Sequence, residues 1–241
     1  MSQRLKVAVL VSGSGSNLQA LLDRFNSGDD ESAEVVRVIA SKPGIRALDR
    51  AEAAGVSTVV IGRPHETEEG AGPGLLEQLQ DCDAGLVVLA GYLKLVPNDV
   101  VRAYAGRMIN IHPALLPSFG GDGMYGKRVH AAVLASGARV SGVTVHFVDE
   151  EYDRGPIIAQ WPVPVFEADT PDVLAARVLD VEHRLLPEVV SALARGDVSL
   201  DPDGNVRWTR PLFSSERFSA AGGSGERSVD GGAVRPPNHM D

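Results

Sequence analysis

Short apolar runs that alternate with helical patterns most strongly constrain the fold of this 241-residue chain. The runs lie at residues 6–11, 35–40, 56–61, 86–90 and 107–111. Helical periodicity fills segments between them, at residues 18–25, 45–54 and 75–79. Continuous apolar strands are typical of a sheet covered on both faces, and intervening helices predict right-handed βαβ units. We therefore expect an α/β, single-domain, Rossmann-like fold whose N-terminal half forms a mostly parallel sheet.

The second half of the chain predicts a different kind of strand. Residues 139–148 and 157–166 are longer and alternate more, so we expect antiparallel strands added to the sheet. Thr170 and Pro171 predict the N-cap and first position of a helix, because proline is tolerated where no N–H partner is needed. Pro187 predicts a kink or an end of that helix.

Composition and charge exclude several classes of protein. The formal net charge is −9 and no stretch concentrates Lys and Arg, so nucleic acid binding, which depends on neutralising phosphates, is not expected. No apolar run is long enough to cross a membrane. The single cysteine, Cys82, excludes an intrachain disulfide, and the six histidines show no spacing typical of metal ligands. These features favour a cytoplasmic protein without a metal.

A loop rich in Gly and Ser follows the first predicted strand and precedes the first helix. Free N–H groups and the dipole at the start of a helix favour a bound phosphate, and Gly13 and Gly15 allow the backbone a close approach. Leu18 replaces the third glycine of the dinucleotide fingerprint, and no Gly-Lys-Ser/Thr follows as in a P-loop. The loop therefore predicts a site for a mononucleotide-sized phosphate ligand, and a tight turn without a ligand is the alternative.

Two polar turns carry the candidate chemistry. Asn110 and His112 lie two apart where a parallel strand ends, so both side chains point to one face at the edge where ligands bind. An amide donor beside an imidazole suits acyl transfer, although a histidine that only caps the strand fits equally well. Asp153 follows in the acidic turn at 149–156, which is also typical of a solvated turn or a cation site. A carboxylate near His112 would raise the pKa of the imidazole.

These motifs occur in an order that resembles one known family. They are SGSGSNLQALL (12–22), VVLAGYLKLV (87–96), NIHPALLPSF (110–119), GVTVHFVDEEYDRGPII (142–158) and EHRLLP (182–187). Together they resemble the phosphoribosylglycinamide formyltransferases, within the wider 10-formyltetrahydrofolate-dependent group. The resemblance spans roughly residues 5–210. It implies a formyltransferase domain at 1–213, and the Ser-, Gly- and charge-rich segment 214–241 predicts a disordered tail.

The resemblance also implies a role for each site residue. The residues implied for catalysis are Asn110, His112 and Asp153. Those implied for the substrate's phosphate are Gly15, Ser16 and Asn17, and Glu182 is implied for its amine. Those implied for the folate are Leu93, Lys94, Leu95, Val96, Asn110, Asp149, Glu150, Glu151, Tyr152 and Asp153. The implied substrates are glycinamide ribonucleotide and the co-substrate 10-formyltetrahydrofolate, with no metal, and the family often forms homodimers.

The chain departs from the family pattern in two places. An expected folate-contacting arginine has no clear match, and Arg63 is the nearest candidate. The segment 118–129 is longer and richer in glycine, which predicts a mobile loop whose Lys127 or Arg128 meets folate glutamates. His146 recurs in the family, but the sequence indicates no role for it. Two alternative functions remain open, a 10-formyltetrahydrofolate hydrolase and a non-catalytic nucleotide-binding module.

Overall fold

A computed structural model describes residues 3–61 and 74–212. In chain order, its elements are β1 (Leu5–Val11), α1 (Ser16–Phe25), β2 (Ala33–Ala40), α2 (Arg46–Ala53), β3 (Ser57–Val60), α3 (Leu75–Asp81), β4 (Leu86–Leu89), α4 (Asn98–Ala103), β5 (Met108–His112), α5 (Lys127–Ser136), β6 (Val140–Phe147), β7 (Ile157–Pro164), α6 (Pro171–Ala194), β8 (Val198–Leu200) and β9 (Val206–Trp208). No helix within these residues is long and apolar enough to cross a membrane. Arg63 and the predicted tail at 214–241 lie outside the described residues.

One seven-stranded sheet runs in the order β3-β2-β1-β4-β5-β6-β7. The pairs from β3 to β5 are parallel, while β6 and β7 are added as antiparallel strands. This confirms the predicted α/β architecture. The chain leaves β1 toward β2 on one side and returns through β4 on the other, so the strand order reverses between β1 and β4. Ligands of open α/β sheets bind at such a reversal, beside the carboxyl ends of the strands.

The two faces of the sheet carry different helices. Apolar residues of α1, α2, α5 and α6 pack into one core, and those of α3 and α4 pack into the other. The central strands are completely buried between them, with Val7, Val9, Val88 and Ile109 at 0% exposure. Continuous apolar runs in the sequence therefore reflect burial on both faces.

The helix α6 corrects one prediction. Thr170 is its N-cap, as expected, and its hydroxyl accepts a hydrogen bond from the N–H of Val173 at 3.3 Å. However, α6 continues through Pro187 to Ala194, so the prediction that Pro187 could end the helix is wrong. Pro187 lies among buried apolar residues of α6, and burial of this face outweighs the roughly 3 kcal/mol that an interior proline costs.

Candidate active site

A cavity of about 500 Å³ opens at the carboxyl ends of β1, β4 and β5. Its walls come from the loop after each of these strands, from the turn after β6 and from α5 and α6. The residues that the resemblance implied for catalysis and for the two substrates line this cavity, except Glu150, and of the two further folate candidates Lys127 lines it and Arg128 does not. The fold therefore gathers into one place residues that lie up to about 170 positions apart in the chain.

The loop after β1 forms one end of the cavity. Gly15 precedes α1 in the left-handed conformation, with φ of 72°. A Cβ atom at this position would lie 2.7 Å from the Cβ of Ala47 on α2, so only glycine fits. No acidic side chain occupies the first turn of α1. The free N–H groups of this turn, at Ser16 and Asn17, therefore keep their affinity for an anion.

Asn17 and Glu182 meet across this end of the cavity. The Asn17 Nδ2 atom donates to Glu182 Oε2 at 2.9 Å, while Asn17 Oδ1 is buried without a partner among the described residues. Glu182 is only 6% exposed. Burial raises the pKa of Glu182 to about 7, although the hydrogen bond from Asn17 opposes the shift. This carboxyl group can therefore gain or lose a proton near neutral pH.

The other end of the cavity is built on the pairing of β5 with β6. In this antiparallel register, Asn110 lies opposite His146 and His112 lies opposite Thr144. The Thr144 hydroxyl donates to the Ala114 carbonyl at 2.7 Å and accepts from the Leu116 N–H at 3.0 Å. It thereby fixes the turn that follows His112.

Asp153 brings the side chains of this end together. Its Oδ1 accepts from Asn110 Nδ2 at 3.2 Å, and its Oδ2 lies 3.5 Å from His112 Nδ1. The Gly121 N–H also donates to Oδ2, at 2.9 Å. Burial raises the pKa of Asp153, but the neighbouring imidazoles of His146 and His112 and the hydrogen bond from the Gly121 N–H together hold it below its usual value. The predicted partnership of Asp153 with His112 is therefore present in the structure.

His112 differs from the prediction in its protonation. Its Nε2 atom lies 2.8 Å from the Phe119 carbonyl oxygen, and because that oxygen only accepts, Nε2 carries the proton. We expected Asp153 to raise the pKa of His112. Burial lowers it by more than Asp153 and the hydrogen bond to Phe119 raise it, so that the pKa of His112 lies below its usual value. The ring is only 3% exposed.

His146 also lines the cavity, although no role for it could be inferred from the sequence. Its Nδ1 atom donates to the Phe147 carbonyl at 2.7 Å, so Nε2 is left as an acceptor and receives the Asn110 amide at 3.1 Å. Asn110 therefore directs its amide hydrogens at His146 and Asp153 in the empty site. The period of two along β6, which puts His146 on the same face as Thr144, was the signal that could have revealed this contact.

Apolar side chains after β4 form part of the cavity wall that the resemblance assigns to the folate. Leu93 and Leu95 are 51% and 47% exposed where they line the cavity, and the backbone N–H of Leu93 donates to the buried Ser12 hydroxyl at 3.0 Å. Exposed apolar side chains at a cavity mouth are well suited to a flat ring. Glu150 does not line the cavity, and its carboxylate pairs with Arg102 at 2.7 Å.

The glycine-rich segment also differs from expectation, since its last residues are helical. α5 begins at Lys127, whose ammonium group lies 2.6 Å from Asp172 on α6. The guanidinium group of Arg128 stacks over the Tyr125 ring at 4.9 Å. Both cations therefore have protein partners in the empty site. Among the described residues, no group of three or more His, Cys, Asp or Glu side chains could hold a metal ion.

Comparisons with known proteins identify the family. A family model described as formyl transferase matches residues 5–190. The chain is 44% identical over 204 residues to the chloroplastic phosphoribosylglycinamide formyltransferase of Arabidopsis thaliana, covering 84% of this chain and 70% of that protein. The chain belongs to the phosphoribosylglycinamide formyltransferases of the formyl transferase family. The resemblance seen in the sequence motifs is thereby confirmed.

Other formyltransferase relatives show the same relationship. The crystal structure of glycinamide ribonucleotide transformylase 1 from Symbiobacterium toebii has a TM-score of 0.78 and 38% identity, covering 86% of this chain and 95% of that one. The trifunctional purine biosynthetic protein adenosine-3 of Bos taurus is 40% identical over 207 residues. This match covers 86% of the present chain but only 20% of that longer protein.

Proposed function

We propose that this formyltransferase transfers the formyl group of 10-formyltetrahydrofolate to the amine of glycinamide ribonucleotide, in de novo purine biosynthesis. The observation that carries the proposal is a single cavity with two different ends. A loop suited to a phosphate lies with Glu182 at one end, and Asn110, His112 and Asp153 lie at the other. A substrate held by its phosphate would extend its amine toward the polar groups where acyl chemistry can occur.

Glu182 is suited to prepare the amine. An α-amino group has a pKa of about 8 and is mostly protonated at neutral pH, yet only the neutral amine can attack a carbonyl carbon. Because burial raises the pKa of Glu182 to about 7, its carboxylate can take the surplus proton at little cost in free energy. Asn17 holds this carboxylate in position through the hydrogen bond of 2.9 Å.

His112 and Asn110 are placed to stabilise the oxyanion. Attack by the amine on the formyl carbon gives a tetrahedral intermediate with a negative oxygen. The Nε2–H of His112 donates to the Phe119 carbonyl, so the substrate oxygen must replace that carbonyl to receive the hydrogen bond. Asn110 must likewise redirect one amide hydrogen from Asp153 or His146. As negative charge develops, Asp153 stabilises the imidazolium form of His112.

The collapse of the intermediate completes the transfer. The bond between the formyl carbon and N10 of the folate breaks, and the new bond between that carbon and the substrate nitrogen remains. The amine loses one proton and N10 gains one, so the proton passes between them through His112 or through water. The products are formylglycinamide ribonucleotide and tetrahydrofolate, and the atoms balance without any further reactant.

The alternatives are a hydrolase and a binding module. In a hydrolase, water replaces the amine as nucleophile, and Glu182 with the phosphate loop would have no substrate to hold. A binding module would retain the phosphate loop but would not need His112. The buried acid beside the phosphate loop favours an amine-bearing phosphate ligand over both.

A spectroscopic assay of tetrahydrofolate release tests the proposal. We expect turnover of 10-formyltetrahydrofolate only when glycinamide ribonucleotide is present, and we expect it to be lost in His112→Ala. Turnover that proceeds equally without the ribonucleotide would identify a hydrolase. Absence of turnover under both conditions would contradict the enzymatic function.

Three further expectations stay predictions. The cytoplasmic location, the homodimer and the domain span of 1–213 are consistent with the resemblance, and a size-exclusion measurement on the purified chain would test the dimer. The roles of the individual site residues, including the folate contacts at 93–96 and 149–153, are likewise part of the proposal.

A further inference from the structure

His130 is a buried histidine with one ring nitrogen that has no hydrogen-bond partner among the described residues. It lies in the first turns of α5 and is 4% exposed. Its Nδ1 atom is buried and has no hydrogen-bond partner among the described residues. Buried polar atoms are almost always paired, so an unpaired ring nitrogen requires an explanation.

The side chain of His130 lines the active-site cavity. Its neighbours on α5, Val129 and Val133, are fully buried in the core but do not contribute to the cavity wall. Burial lowers the pKa of His130, and a positive charge on His112 would lower it further. His130 is therefore a polar group of the cavity wall that can both donate and accept hydrogen bonds.

The position of α5 indicates which substrate this group faces. α5 packs on α6, and both helices belong to the same face of the sheet as α1. Glu182 on α6 and Asn17 on α1 form the ribonucleotide end of the cavity on this face. The wall at 91–96 follows β4 and leads to α4, which packs on the opposite face. His130 thus lies with the groups proposed for the ribonucleotide.

We propose that His130 binds the ribose–glycinamide part of the ribonucleotide, between its phosphate and its amine. This inference rests on the proposed function, since it assigns one more residue to the same substrate. Ribose hydroxyls and the glycinamide amide can each donate to or accept from a neutral imidazole. Because Nδ1 has almost no accessible surface in the observed orientation, the imidazole must turn when the substrate binds, and the substrate then supplies the hydrogen-bond partner that the protein lacks.

A purely structural role of His130 and a role in substrate binding predict different results for an apolar substitution. If His130 only filled space in the core, its replacement by another residue would leave substrate binding unchanged. If the ring nitrogen of His130 binds the substrate, then His130→Leu removes an unpaired buried polar group, and the folded variant is at least as stable as the wild type. Loss of substrate affinity without loss of stability is therefore the signature of the proposed role.

Steady-state kinetics on His130→Leu and His130→Asn test the proposal. For His130→Leu, we expect the KM for glycinamide ribonucleotide to rise on the order of tenfold or more, which is the effect of removing one hydrogen bond made to a bound polar group. The KM for 10-formyltetrahydrofolate should change less than about twofold, and the Tm should not fall. His130→Asn keeps a polar atom near the position of Nδ1 and should recover part of the affinity.

His183 offers a matched control. Its Nε2 atom is also buried without a partner among the described residues, but its side chain does not line the cavity. The charged groups near it are Asp180, Arg50 and Asp23. His183→Leu should therefore leave both KM values unchanged.

Two results would overturn the role of His130 while wild-type turnover remained intact. One is an unchanged KM for the ribonucleotide in His130→Leu. The other is a rise in the KM for the folate alone, which would assign His130 to the other substrate. If the wild type itself did not use glycinamide ribonucleotide, the proposed function would fail instead.

Discussion

The two ends of the cavity differ in how their polar groups are satisfied. At the reaction centre, Asp153, Asn110, His112 and His146 form hydrogen bonds or close polar contacts with one another and with backbone groups. At the ribonucleotide end, Asn17 Oδ1 and His130 Nδ1 are buried without partners among the described residues, and Glu182 carries a raised pKa. One end is a closed network, and the other lacks the groups that a ligand would supply.

This difference indicates separate tasks for the two ends. A closed network holds catalytic groups in a fixed geometry before the substrate arrives, which lowers the reorganisation needed in the transition state. Unpaired buried polar groups lower the free energy of unfolding of the protein alone. A ligand that pairs with them raises it again. We therefore expect changes at the closed end to affect turnover and changes at the open end to affect substrate affinity and stability.

Asp153→Asn should produce the largest effect. The residue has φ of 55°, which asparagine tolerates, so the turn should persist while the negative charge is lost. Without the carboxylate, His112 loses the group that stabilises its charged form. We expect kcat to fall by about 10³-fold, within the range typical of losing acid–base assistance. Rapid-quench or steady-state assays measure this loss, and a decrease of less than tenfold would show that the network does not control turnover.

Glu182→Gln should produce an effect of intermediate size on stability. Because the pKa of Glu182 is raised from 4.5 to about 7, the folded wild type binds this proton more tightly than the unfolded chain does. Its stabilising contribution is complete below pH 4.5 and is lost as the pH rises through 7. The free energy of unfolding of the wild type should therefore decrease by about 3 kcal/mol relative to the variant between pH 4.5 and 8.

Urea denaturation at several pH values measures the difference at Glu182. The exposed Glu167 provides a control, and Glu167→Gln should follow the pH dependence of the wild type. Parallel curves for the wild type and Glu182→Gln would mean that the carboxyl group at 182 is not held in its protonated form by burial.

Gly15→Ala should produce the smallest of the three effects. The new Cβ would meet Ala47 at 2.7 Å, and the backbone is left-handed at this position. We expect a loss of about 2 kcal/mol in the free energy of unfolding. Gly13→Ala is the matched control, since nothing lies within 4 Å of its added Cβ, and thermal denaturation should show little change. Equal losses in both variants would contradict the close contact between the loop and α2.

Local features of the fold could be predicted well from the sequence. The strand–loop–helix unit at β1 and α1 was evident because burial on both faces leaves a continuous apolar run, and the Gly/Ser loop marks its end. α4, α5, β8 and β9 were not foreseen. α4, β8 and β9 are short and have little periodicity, and α5 begins within a glycine-rich segment for which a loop was expected. Pro187 misled the prediction because the packing of α6 outweighs a local helix penalty. Local propensity thus fails where tertiary burial decides.

The candidate site was only partly accessible to sequence reasoning. The carbonyl of Phe119 and the N–H of Gly121, which hold His112 and Asp153, are backbone groups that no side-chain motif reveals. The contact between Asp153 and His112 joins distant residues, so the resemblance predicted it and the spacing did not. His130 was overlooked, although its position between Val129 and Val133 on an apolar helical stripe was a signal of burial.

We expect turnover and ribonucleotide binding to depend on opposite ends of the cavity. Isothermal titration of glycinamide ribonucleotide into the wild type and into Asp153→Asn tests this most directly. The dissociation constants should agree within about threefold, despite the large loss of turnover in the variant. A loss of ribonucleotide affinity comparable to the loss of turnover would contradict the separation of the two ends, because Asp153 would then support the whole cavity and not the reaction centre alone.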